Sequence, residues 1–169
     1  VLKKYDVLMI ADEVICGFGR TGNTWGSQTF GITPDMMSMA KQLSSAYLPI
    51  SAVMVSEPIY DAIVDQSAKI SVFAHGFTYS GHPVPAAVAL ETLKIYEERN
   101  TFDYVREIAP HFQEGLRRFS DHPRVGEVRG VGLMGALELV KNKDTKEAFD
   151  VGDGVGNAFV ACAQENGLL

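Results

Sequence analysis

Val7-Leu-Met-Ile-Ala-Asp-Glu-Val14 is an apolar run that delivers a carboxylate, Asp12, and Pro34-Asp-Met-Met-Ser-Met-Ala-Lys41 is a shorter run that delivers an amine. A parallel strand covered on both faces reads as an unbroken apolar stretch, and open α/β sheets bind ligands beyond the carboxyl ends of such strands. Asp12 and Lys41 are therefore each expected where a sheet of this kind meets a ligand. Both also have ordinary explanations, since an Asp after a strand commonly caps the following turn and most lysines are solvated surface charges. As a pair they suit a ligand with a ring nitrogen to keep protonated and an aldehyde to condense with an amine.

Three short strands are expected in the first half, over 7–11, 36–40 and 50–55. Between the first two lies Gly17-Phe-Gly-Arg-Thr-Gly22, which reads as an ordinary surface connection. It is not the dinucleotide-binding glycine fingerprint, because no helical pattern follows in the right place. Pro58 at a first-turn position predicts a helix over 57–64. A Gly- and hydroxyl-rich loop then fills 71–83. Val88, Thr92, Ile95 and Tyr96 share one stripe of a long helix over 83–99, and a further helix is expected over 102–119, ended by Pro123. Residues 125–140 end in an alternating pattern that suggests an antiparallel strand with one solvated face. A charged turn over 141–146 and a last helix over 154–166 complete the pattern. The change from apolar runs to alternation places a boundary near residue 100. Residues 1–99 are then part of a cofactor-binding large domain that includes a bridging helix, and residues 100–169 part of a small α+β domain.

The chain has 169 residues, 46% of them hydrophobic and 21% charged, with a net charge of −6. The acidic balance argues against a nucleic-acid or anionic-membrane partner. No apolar stretch approaches the roughly 20 residues that span a bilayer. Cys16 and Cys162 make neither a disulfide framework nor a metal-type Cys-x-x-Cys pair, so no metal is expected and a reducing cytoplasm is the default location. The chain begins on Val1 and ends on Gly167-Leu-Leu169. Its three buried-strand candidates fall short of the five or six typical of a doubly wound sheet, roughly speaking. A fragment is expected, one that would not act by itself.

Asp12-Glu-Val-Ile-Cys-Gly-Phe-Gly-Arg-Thr-Gly22, the Pro34-Asp…Ala40-Lys41 segment and Gly76-Phe-Thr-Tyr-Ser-Gly-His-Pro83 occur in that order. Together they resemble the class III aminotransferases, the ω-aminotransferase group of fold-type I pyridoxal phosphate enzymes. The resemblance is clear from residue 1 to about residue 140 and looser beyond. It implies an α/β fold: part of a large domain with a mostly parallel sheet, plus part of a small α+β domain. It also implies pyridoxal 5′-phosphate as cofactor, an amine donor and an oxo-acid acceptor as substrates, and a homodimer.

Within the resemblance, Lys41 matches the Schiff-base lysine, which needs an uncharged amine and would gain one from partial burial and nearby positive charge. Asp12 matches the partner of the pyridine nitrogen. Val14, two residues on and on the same side if the chain is extended, matches a residue that packs on one ring face. Thr78 matches a threonine that bonds the phosphate of the cofactor across the dimer interface, and Phe77 would line the pocket there. Glu13 points away from the ring in an extended chain and reads as structural. His75 and His82 read as packed or capping residues, and Arg20 as part of a structural loop. Arg129 is common to the family without an assigned role. Gln42 stands where a glycine often follows the lysine. The stretch from Gln42 to Pro49 looks most like enzymes that use pyruvate as acceptor. Racemases, aminomutases and decarboxylases share the scaffold, and a non-catalytic scaffold domain is a further alternative. That last alternative needs neither Lys41 nor Asp12.

Overall fold

The computed structural model describes residues 1–168; Leu169, the end of the expected small-domain segment, lies outside the described residues. The chain divides into two compact units, Val1–Glu107 and Ile108–Leu169.

In the first unit, β1 (Ile10–Asp12), β2 (Met36–Met39) and β3 (Ala52–Val55) form one sheet in the order β1-β2-β3. β1 and β2 run parallel, with Ile10 opposite Met36 and Asp12 opposite Ser38. β3 joins β2 antiparallel. The strands are shorter than the apolar runs that announce them, because the backbone at 7–9 approaches β2 only through Met9. There Asp35 takes hold twice: its Oδ2 accepts from the Met9 N–H at 2.7 Å, and its own N–H donates to the Met9 carbonyl at 2.9 Å. The Ser56 N–H reaches the Asp35 carbonyl at 2.8 Å, so one aspartate fixes the ends of two strands on either side of it.

Helix α1 (Gly26–Thr29) is a single turn, and α2 (Glu57–Ile70) follows β3. The latter runs six residues beyond the expected end at 64, since the polar Asp65-Gln-Ser stretch hides its continuation, and Ser71 stops it in the left-handed region at φ 62°. Helix α3 (Pro83–Glu98) lies where the apolar stripe predicts. Thr92, buried on that stripe, returns its hydroxyl to the Val88 carbonyl at 2.8 Å, which satisfies its polar atom inside the helix. The core of the unit is Phe18, Met39, Leu43 and Ala89, with Trp25, Met37, Ile50, Leu93 and Tyr96 packed around it.

The Gly17–Gly22 loop departs from the expectation of a plain surface connection. Its three glycines are buried, and Phe18 sits in the core with its ring edge-on to Trp25 at 4.8 Å between centroids. Gly19 at φ 112° lies so close to the Phe102 ring that a Cβ would stand 2.7 Å from it, and Gly22 at φ 88° is pressed against Arg106 in the same way. Only glycine fits both the backbone conformation and the space. The glycines therefore serve close packing rather than a surface turn.

Helix α4 (Thr101–Arg117) contains the division between the two units. In the second unit, β4 (Val125–Val131) and β5 (Met134–Asn142) form an antiparallel hairpin, with β6 (Glu147–Ala148) beside β5. Lys141 belongs to the strand rather than to the charged turn. Gln113, buried on α4, donates from Nε2 to the Gly132 and Met134 carbonyls, each at 2.8 Å, and so closes the hairpin tip. Helix α5 (Val155–Glu165) ends the described chain. Among the described residues no helix is long and apolar enough to cross a membrane.

Candidate active site

Because β1 and β2 are parallel neighbours, their carboxyl ends lie on one edge of the sheet. That edge receives Asp12 as the last residue of β1 and Lys41 two residues beyond β2. The acid and the amine picked from sequence thus meet at adjacent strand ends, where α/β sheets place ligands.

Asp12 is held from two sides. Ser38, its register partner, donates its hydroxyl to Oδ1 at 3.2 Å, and the Val14 N–H donates to the same oxygen at 3.1 Å. The second contact is an Asx turn, the ordinary capping explanation for an Asp at this place. Both contacts fall on one oxygen, and Oδ2 accepts no hydrogen bond among the described residues. Capping the turn and meeting a ligand are therefore compatible: one oxygen does each. Val14 follows in the turn and not in an extended segment, so the geometric ground for placing it beside Asp12 fails. It stays near the carboxylate through its N–H and is half-buried.

Lys41 opens a one-turn 3-10 helix, Lys41–Leu43, with its backbone in the left-handed region at φ 37°. A non-glycine residue adopts that region only when its surroundings impose it. Its side chain is exposed, contrary to the expected partial burial, and its ammonium makes no hydrogen bond or ion pair among the described residues.

Glu13 has a larger structural part than its position facing away from the ligand edge suggests. Its carboxylate is 3% exposed and accepts from the Gly26 and Ser27 N–H groups at 2.8 and 2.7 Å, at the start of α1. Its N–H reaches the Ser38 carbonyl at 2.9 Å and its carbonyl accepts from Gly17 at 2.8 Å. Every polar atom of Glu13 is engaged in closing the loop that follows Asp12. Cys16, in that loop, has its thiol pushed above the ordinary value by burial and by the neighbouring carboxylates of Glu13 and Asp12.

Phe77 and Thr78 lie in the 71–82 loop, exposed. Phe77 lines an open cleft of about 660 Å³ together with Pro49, Ile50, Tyr79 and His82. His82 caps α3, its Nδ1 accepting from the Val84 N–H at 3.2 Å, and His75 stacks edge-on with Phe73 and Phe77. His82 thus takes the capping role expected of it, whereas His75 is exposed and caps no helix. Arg129 pairs with Glu138 across the β4–β5 hairpin at 2.5 Å, and that hydrogen bond raises its pKa. Among the described residues no cluster of His, Cys, Asp or Glu could hold a metal ion.

Two participants escaped the sequence reading. Ser38 is the one hydroxyl inside an otherwise apolar strand, three residues before the lysine, and that interruption was the available signal. Tyr96 was assigned to a helix stripe, and nothing in the sequence links it to Gln42, whose carbonyl its hydroxyl reaches at 2.8 Å.

The residues fit a pyridine aldehyde. Asp12 has one carboxylate oxygen without a hydrogen bond among the described residues, as a ring N–H would need, and Lys41 has an uncommitted amine at the neighbouring strand end.

Comparison with known proteins gives the family of the chain. A family model described as aminotransferase class III matches residues 1–169. The chain is 54% identical to gamma aminobutyrate transaminase 3, chloroplastic, of Solanum lycopersicum, covering all of this chain and 32% of that protein. It is 56% identical to gamma-aminobutyrate transaminase 1, mitochondrial, of Oryza sativa subsp. japonica, covering all of this chain and 33% of the relative. The chain therefore spans about a third of the length of the curated relatives it matches. Among solved structures, the ω-transaminase from Pseudomonas jessenii in complex with PMP superposes with a TM-score of 0.94 at 49% identity, over 99% of this chain and 37% of that one. A transaminase with L-Ala gives 0.95 at 53% identity, over 99% and 40%. With a family match over its whole length and the acid–amine pair on one edge of an α/β sheet, the chain belongs to the class III aminotransferases.

Proposed function

We propose that the protein containing this chain transfers an amino group from an ω-amino acid or amine to an oxo acid, pyruvate in the first instance, using pyridoxal 5′-phosphate. The observation that carries the reading is the parallel register that sets Asp12 and Lys41 at adjacent carboxyl ends. Pyridoxal phosphate supplies an aldehyde that condenses with amines and a protonated ring that accepts an electron pair. Asp12 holds the proton on the ring nitrogen through the oxygen that neither Ser38 nor Val14 uses. Lys41 Nζ would hold the cofactor through its aldehyde and, as a free amine, would take the proton from the substrate carbon. Val14 packs on a ring face. In a homodimer, Thr78 donates its hydroxyl to the phosphate in the partner's site, and Phe77 lines that pocket.

Residues 1–99 are assigned to the cofactor-binding large domain and 100–169 to the small domain. A reducing compartment suits the two cysteines, and we assign the cytoplasm. Relatives named mitochondrial or chloroplastic make fractionation of the native protein the check on that assignment.

The test uses the full-length protein loaded with cofactor. γ-Aminobutyrate, chosen because the relatives carry its name, should bleach the visible cofactor band, and pyruvate should restore it with formation of alanine. Release of carbon dioxide, or inversion of a chiral amino acid offered in place of γ-aminobutyrate without exchange with pyruvate, would assign the protein to another reaction class. Borohydride reduction should fix the cofactor on Lys41, and its recovery on Lys69 or on no lysine would refute the site.

A further inference from the structure

The lysine turn is pinned at points that ordinary packing does not require. Lys41 stands at φ 37°, and such a conformation at a residue with a Cβ persists only where neighbours over-determine it. Three neighbours do so here. Leu43 is buried in the core of the first unit beside Phe18, Met39 and Ala89. The Gln42 carboxamide reaches back from the turn and donates from Nε2 to the Ile15 carbonyl at 2.9 Å, in the loop that follows Asp12. The Tyr96 hydroxyl, from α3, donates to the Gln42 carbonyl at 2.8 Å. The side chain after the lysine is thus a strut between the amine-bearing turn and the carboxylate-bearing loop. It is retained although its Oε1 is buried without a hydrogen-bond partner among the described residues. A buried acceptor left unsatisfied is a cost, so the Nε2 contact and the shape of the turn must outweigh it.

We propose that Gln42 and Tyr96 are positioning residues for Lys41. Gln42 ties the turn to the Asp12 loop through Ile15, Tyr96 fixes the Gln42 carbonyl, and together they present the amine in one backbone conformation at the edge where Asp12 stands. The inference rests on the reading of Lys41 as the cofactor-binding lysine. A glycine after the lysine would supply neither the strut nor the loss of backbone freedom, so this chain rigidifies a turn that a glycine leaves mobile.

The experiment uses the full-length protein and two variants, Gln42→Met, which keeps the length of the side chain without its donor, and Tyr96→Phe, which removes one oxygen. The cofactor-free proteins are mixed with pyridoxal phosphate, and borohydride-fixed cofactor on the peptide containing residue 41 is followed against time. Melting temperature, cofactor affinity, kcat and KM are measured alongside. We expect Gln42→Met to slow attachment at Lys41 about tenfold, as misorientation of a reacting group does. Tyr96→Phe should slow it less, with melting temperature and KM unchanged and kcat reduced in both. Attachment within about twofold of the parent in both variants overturns the inference. So does slowing that merely tracks lost stability or lost cofactor affinity. If Gln42→Met does not fold, Tyr96→Phe alone decides by the same criteria. Cofactor fixed on a lysine other than Lys41 in the parent refutes the functional reading itself and this inference with it. Fixation on Lys41 with indifferent variants refutes the inference alone.

Discussion

Ser38 stands directly across the parallel register from Asp12 and gives its hydroxyl hydrogen to Asp12 Oδ1 at 3.2 Å, while the other carboxylate oxygen accepts no hydrogen bond among the described residues. Ser38→Ala in the full-length protein should therefore loosen the carboxylate without removing it. The loss of one such bond corresponds to about 1 kcal/mol, or about a fivefold fall in kcat. A fall as deep as that produced by losing the carboxylate, or no fall at all, would refute the assigned role.

Asp12→Asn should be far more damaging. An amide can still accept from Ser38 and from the Val14 N–H, so the turn and cofactor binding should survive. It cannot hold a charged pyridinium, so turnover should drop by orders of magnitude. Near-normal kcat in this variant would sink the role given to Asp12.

Glu13→Ala leaves the Gly26 and Ser27 N–H groups without their buried acceptor. The expected loss of stability is about 3 kcal/mol, typical of a buried charged acceptor removed from two donors. Glu13→Gln, which retains one acceptor oxygen, should lose about half as much. Denaturant midpoints of the full-length protein measure both, and an unchanged midpoint for Glu13→Ala would show that the α1 contacts are not needed.

Cys16 and Cys162 should separate by reactivity. Burial and the carboxylates of Glu13 and Asp12 raise the Cys16 thiol above its ordinary 9.0, so it holds its proton longer as pH rises. Iodoacetamide at pH 8 should modify exposed Cys162 first, with Cys16 lagging behind it, since the thiolate is the reactive form. The sign for stability follows from the same shift. The contribution of the protonated thiol is present below 9.0 and is lost as pH rises through the folded-state value. Equal labelling rates by mass spectrometry would contradict the raised value.

The sheet was legible because apolar runs and their terminal residues obey strong rules, and both Asp12 and Lys41 stand where those rules put them. Strand ends were less so. The apolar run starting at Val7 continues upstream of the first paired residue, and only Asp35, far away in sequence, shows where pairing begins. The glycine loop was misread for a related reason. Its burial depends on Phe102 and Arg106, which arrive from α4, and no local pattern announces a distant ring. No sequence pattern gives Gln42 a part, because its partner, the Ile15 carbonyl, is a backbone atom with no identity in the sequence. Residues that act on side chains nearby in the chain could be found from sequence, and those that act on remote backbone could not.

The double grip of Asp35 on Met9 governs more than the first paired residue. Successive residues of a strand face opposite sides of the sheet, so a slip of β1 by a single place would turn Asp12 to the other side and offer Ala11 or Glu13 to Ser38 in its stead. Such an error would keep most of the apolar pairing while destroying the acid–amine relationship. The Asp35 side chain takes the Met9 N–H and its backbone takes the Met9 carbonyl, so β1 is fastened one residue before its first paired position in the alignment that puts Asp12 opposite Ser38. An aspartate at the amino ends of two short strands thus fastens the alignment that leaves a carboxylate and an amine at their neighbouring carboxyl ends.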